Sequence, residues 1–129
     1  MVILEIRGKV PAKSSSRKVI VHRRTRKIMV VSSSECYAYE VAFKYGIHKQ
    51  MLDYKAHKLP MEGRLYLSID WYADSYRQDI DSPPKILMDC LQKNGIIKND
   101  NQFDYLLIRR FIDKKNPRVI LYIGPHDEK

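Results

Sequence analysis

Cysteine is scarce in this chain of 129 residues, which holds only Cys36 and Cys90. With no third or fourth thiol nearby, a zinc site built on cysteines is disfavoured. Each Cys sits among apolar residues in a stretch that reads as helical, where a free thiol behaves as a small hydrophobe. Long apolar runs are missing too: none approaches the roughly 18 residues of a membrane span. The N-terminal VILEI is short and broken by Glu5, so it does not suit a secretory leader. Internal repeats, heptads and low-complexity tracts are also lacking. A soluble cytoplasmic protein with buried thiols is the expectation.

Acidic residues are outnumbered, 15 against 24 Lys and Arg, for a net charge of +9. From Lys9 to Lys27 there is no acid at all, while Lys9, Lys13, Arg17, Lys18, Arg23, Arg24, Arg26 and Lys27 are basic. A second basic group comprises Arg109, Arg110, Lys114, Lys115 and Arg118. Such an excess favours an anionic partner, nucleic acid first and an acidic membrane or protein second. Each cluster alone is also what a solvated face looks like.

A chain of this length buries roughly 65 to 70% of its unfolded surface and folds without a staple. Residues 1–129 are therefore read as a single domain. Val2–Ile6 reads as a strand, and the β-branched 19–21 and 28–31 bracket a basic tip, suggesting a hairpin. Ser33-Ser34-Glu35 opens a long helix, with Tyr37, Ala38, Val41, Tyr45, His48 and Leu52 at helical spacing and a bend or break expected at Gly46. Residues 64–71 alternate, placing Leu65, Leu67, Ile69 and Trp71 on one face of a strand. A second helix runs from about Pro83 to Asn94 and ends at Gly95. Residues 103–112 and 118–123 read as a terminal hairpin. The fold class is α+β, with one curved mixed sheet and two main helices.

Against this basic background, Gln78–Gln102 (QDIDSPPKILMDCLQKNGIIKNDNQ) gathers four aspartates. Asp79 and Asp81 are two apart and share a direction if the chain there is extended. Asp81 precedes Ser82-Pro83-Pro84, a helix start that tolerates proline. Lys85 and Asp89 continue at steps of four, opposite Ile86, Leu87, Cys90 and Leu91. Asp100 follows the Gly95 turn, on a loop that could return beside the helix start. Spacing alone leaves two alternatives open: carboxylates that hold metal, or ordinary helix caps and turns. The histidines, His22, His48, His57 and His126, are scattered without ligand spacing.

The segment DIDSPPKILMDCLQKNGIIKNDNQ resembles the signature of the RusA family of Holliday junction resolvases, many of them phage or prophage proteins. That signature runs Asp-x-Asp-Asn, a lysine four residues on, a further Asp, and an acidic turn ending in glutamine. Asp79, Asp81, Lys85, Asp89, Asp100 and Gln102 fall at matching spacings. Ser82 stands where the family usually has Asn, and Pro83-Pro84 replace less rigid residues.

The resemblance implies a RusA-like endonuclease domain that acts as a homodimer on four-way DNA junctions in recombination and repair. It would nick two strands symmetrically, in the cytoplasm of a bacterial or phage-infected cell. Asp79, Asp81 and Asp100 would hold Mg2+, or Mn2+ in its place, through hard oxygen donors. Lys85 would touch phosphate or transition-state charge, and Asp89 would support it. Lys13, Arg17, Lys18, Arg23, Arg24, Arg26, Lys27, Arg109 and Arg110 would grip the DNA backbone. The dimer surface is expected on the aromatic helix or the N-terminal strand. The alternatives are a basic nucleic-acid-binding module without catalysis, a regulatory protein with an acidic partner, or a related nuclease for other branched DNA.

Overall fold

The computed structural model describes residues 1–11, 18–21, 28–31, 34–52, 54 and 59–126, the strands 18–21 and 28–31 by backbone only. Elements follow in the order β1 (Val2–Arg7), β2 (Lys18–Val21), β3 (Ile28–Val31), α1 (Ser34–Leu52), β4 (Leu65–Ala73), α2 (Pro83–Lys93), a short 3-10 turn (Asp100–Gln102), β5 (Phe103–Ile112) and β6 (Arg118–Pro125). Strands β1, β6, β4 and β5 form one mixed sheet in that order, and β2–β3 form a separate antiparallel pair. This is the expected α+β architecture, with the basic hairpin standing as its own two-stranded sheet.

The alternation in β4 puts Leu65, Leu67, Ile69, Trp71 and Ala73 in the core. They meet Val2, Leu4 and Ile6 of β1, Val119, Leu121 and Ile123 of β6, and the helices on that face. From α2 come Ile86, Leu87, Cys90 and Leu91, as their spacing requires. Gly95 follows that helix at φ 73°, a left-handed conformation that disfavours a side chain, and the chain turns back there.

Two expectations for α1 fail. The buried face of α1 is Cys36, Tyr39, Phe43 and Ile47, whereas Tyr37, Tyr45 and Leu52 lie exposed. Aromatics and aliphatics surround this helix on all sides, so periodicity alone picks the wrong stripe. The helix is also not broken at Gly46, because packing of Phe43 and Ile47 on either side outweighs the modest cost of glycine.

Strands β5 and β6 do not form a hairpin. β4 lies between them, parallel to β5 and antiparallel to β6. The physical reason is that β4 carries the most buried side chains of this sheet. Central placement satisfies its backbone on both sides and covers its side chains, while the β4–α2–β5 segment is long enough for a parallel crossover.

The sheet's two edges differ. At the β1 edge, Tyr54 Oη donates to the Ile3 carbonyl and accepts from its N–H, and the Gln50 side chain bridges the Glu5 N–H and carbonyl in the same way. The N-terminal strand is thereby occupied, which argues against it as a pairing surface. At the β5 edge no described residue takes the outward backbone groups, and Tyr105, Leu106, Leu107 and Phe111 are exposed.

Candidate active site

Asp79 and Asp81 ride on a tight turn rather than an extended stretch. The Ser82 N–H donates to the Asp79 carbonyl at 3.0 Å, closing the turn. Both carboxylates are exposed and make no ion pair among the described residues. Ser82 is the N-cap of α2 without a side-chain capping bond, and Pro83-Pro84 fill the first two helical positions, where a missing N–H costs nothing. Asp81 therefore lies one residue before the cap, beside the positive end of the helix. Lys85, one turn in, is exposed and forms no ion pair among the described residues, so its ammonium is open to solvent near the start of the helix. Asp89 is half-buried a further turn along.

Arg110 holds this turn. Its guanidinium donates to the Gln78 carbonyl and lies over Trp71 at 5.3 Å and Tyr76 at 5.0 Å from the ring centroids. Arg109 is committed differently: Nε and Nη2 reach the two oxygens of Asp70 at 2.9 and 3.0 Å. Asp70 is 5% exposed, in the middle of β4, and Arg109 supplies the hydrogen bonds a buried carboxylate needs. Two arginines expected on phosphates thus have structural partners. Arg109→Ala should destabilise the fold by about 1–3 kcal/mol in urea unfolding, since it strands Asp70. Arg110→Ala should instead slow turnover more than it weakens DNA binding, because it frees the Asp79–Asp81 turn. Equal effects of the two substitutions on both assays would refute this division.

Asp100 is elsewhere. Its N–H donates to Gln92 Oε1 at 3.3 Å, in the last turns of α2, and the strand that follows it starts opposite Leu65 at the beginning of β4. The surrounding turn is pinned by Gln102. Its Oε1 accepts from the Lys98 and Asn99 N–H groups, and its Nε2 donates to the Met61 and Gly63 carbonyls. Asp81 precedes the other end of α2, whose 11 residues span about 16 Å. Asp100 is therefore on the order of 15–20 Å from the Asp79–Asp81 turn within one chain. The loop does not return beside the helix start, and among the described residues no three carboxylate, imidazole or thiolate groups converge.

Lys13, Arg17, Arg23, Arg24, Arg26 and Lys27 lie outside the described residues, and Lys18 is placed by backbone only. Sequence reasoning missed Asp70, Trp71, Tyr76 and Gln78 as supports of the site. An Asp inside an alternating apolar strand was the available signal for Asp70. Cys36 and Cys90 are buried and form no disulfide, and burial pushes the Cys90 thiol up to about 12.

The described residues thus put two exposed carboxylates and a lysine at the start of α2 and a hydrogen-bonded polar turn at its far end. Residues 9–124 match the family described as endodeoxyribonuclease RusA, and the chain belongs to that family. It is a nuclease of a family that acts on branched DNA junctions. No curated protein matches the chain. No helix among the described residues is long and apolar enough to cross a membrane.

Proposed function

We propose that this protein is a metal-dependent endonuclease that resolves four-way DNA junctions by paired nicks, working as a homodimer in the cytoplasm during recombination or repair. The observation that carries the reading is the exposed Asp79–Asp81 turn ahead of α2, with Lys85 one turn in, in a member of the RusA family.

Two carboxylates on one turn fit Mg2+, which binds through one or two carboxylates and keeps several waters. When bound, such an ion, or Mn2+ in its place, would activate water and neutralise charge on the scissile phosphate. Lys85, exposed one turn into α2, would hold a non-bridging phosphate oxygen. The N-terminal end of α2 adds its partial positive charge, and Arg110 keeps the turn in place.

Asp100 joins this site only from a second copy. A two-fold axis running across the outer edge of β5 would set two β5 strands antiparallel. The Asp79–Asp81 end of one chain would then face Asp100 of the partner subunit. The unpaired β5 edge and its four exposed apolar side chains support that pairing. The dimer would carry two such sites related by the same axis, matching the near two-fold symmetry of a junction. Asp89 would orient Lys85. Lys13, Arg17, Lys18, Arg23, Arg24, Arg26 and Lys27 would hold DNA backbone on either side.

The test is a cleavage assay on a labelled four-way junction beside linear duplex of the same sequence, with Mg2+ and with chelator. Symmetric nicks in the junction alone, abolished by chelator, are the expected result. Tight junction binding without cutting in Mg2+ or Mn2+ would replace the nuclease with a binding module.

A further inference from the structure

A cleft of about 640 Å³ opens between the end of β1, the first turns of α1 and the loop that carries Gln78. Its volume lies within the range of roughly 300–1,000 Å³ that holds small ligands. Gln78, which lines it, is the residue immediately before Asp79, so the cleft adjoins the proposed site of cutting. Its apolar wall includes Ala38, Ala42 and Tyr39, and its rim carries Arg7 and Arg77, both exposed. Glu35 adds an acceptor at the first turn of α1, and Lys9, which also lines it, is paired with Asp74 at 3.3 Å.

Buried polar side-chain atoms are almost always hydrogen-bonded, so an exception calls for an explanation. Among the described residues two such atoms have no partner, Tyr39 Oη and Gln78 Nε2, and both belong to residues lining this cleft. Gln78 is only half-buried, so a side-chain rotation can deliver its amide donor into the space. Tyr39, 5% exposed, lines the cleft with its ring, while its hydroxyl is closed off from it.

We propose that this cleft receives one unpaired nucleobase of the branched DNA, next to the phosphate that is cut. The walls enclose the base, the amide of Gln78 and the carboxylate of Glu35 meet its donor and acceptor edge, and Arg7 and Arg77 hold the flanking phosphates. Bases at a branch point unstack at low cost, and a hydrogen-bonded pocket distinguishes among them. The cleft thus makes the enzyme select where along a junction it cuts. This rests on reading the protein as a branched-DNA enzyme, yet it is separable from catalysis.

The test scans 2-aminopurine through the positions around the branch of a junction bound by the intact protein in chelator, where no cutting occurs. One position should brighten on binding as its base leaves the stack. The double substitution Ala38→Leu/Ala42→Leu fills the cleft from an exposed helix face with good helix formers. It should abolish that signal while junction affinity changes less than about threefold, the signature of lost base readout with phosphate contacts kept. In Mg2+, the same variant should flatten the preference among cleavage positions by roughly 5- to 100-fold, the worth of one base contact.

An unchanged fluorescence signal in the double variant, no responding position, or no junction binding by the wild-type chain would each overturn the proposal. A responding base that the variant silences, with no cutting by wild-type protein in Mg2+ or Mn2+, would leave the cleft standing and remove the nuclease reading.

Discussion

Asp79→Asn and Asp81→Asn should each lose cutting of a four-way junction by at least about 100-fold, because even groups that only orient a metal ligand contribute 10- to 100-fold. Asn keeps the size of the side chain and its hydrogen bonding. The turn closed from Ser82 N–H to the Asp79 carbonyl uses backbone only and should survive. Both side chains are exposed, so the fold should not register the change. What disappears is one negative charge at the point where a phosphodiester must approach. Junction affinity measured in chelator should therefore hold or rise, since carboxylate and phosphate repel without a cation between them. The combination of lost turnover with retained binding separates a catalytic role from a structural one. Near-wild-type nicking by either variant would remove that residue from the site, and loss of binding together with cutting would mean the turn serves the DNA contact.

The parts of this site that were legible in the sequence are the local ones. Asp81, the two prolines and Lys85 fall within one turn of a helix, so their relation follows from helical geometry once Pro83-Pro84 and Gly95 mark its ends. The β4 alternation was equally direct, because one face of that strand is fully buried. Failures came where the pattern was compatible with more than one partner. Around α1, Tyr37 and Tyr45 are as apolar as Tyr39 and Phe43, and only packing against β1 and α2 decides between the stripes. For β5 and β6, a short connection suggests a hairpin, but β4 competes for both strands and takes the place between them. Arg109 and Arg110 read as a basic patch because their partners, Asp70 and the Gln78 carbonyl, are more than 30 residues away in sequence. Asp100 shares the limitation. Spacing suggests that it follows a helix and a turn, but a parallel crossover delivers it to the end of α2 that Asp79 and Asp81 do not occupy.

That separation gives the second large effect its direction. Asp79→Asn and Asp100→Asn proteins, each inactive alone, should regain activity when combined in one dimer. In the mixed dimer, one composite site joins the substituted Asp79 position to Asp100→Asn of the partner subunit and carries both lesions. The other joins an intact Asp79 to an intact Asp100 and carries neither. The mixed species, isolated with two different affinity tags after co-expression, should nick one strand of a junction and leave the opposing strand whole. Its rate per dimer should approach half that of wild type, since the two sites act on separate phosphates. If all three aspartates served a single chain, the mixed dimer would carry one lesion in each site and stay as inactive as its parents. The outcome thus turns on the span of α2, about 16 Å for 11 residues. A helix of that length is too long for Asp100 to reach Asp81 within its own chain, and a two-fold axis at the β5 edge reverses it so that the partner's end arrives instead.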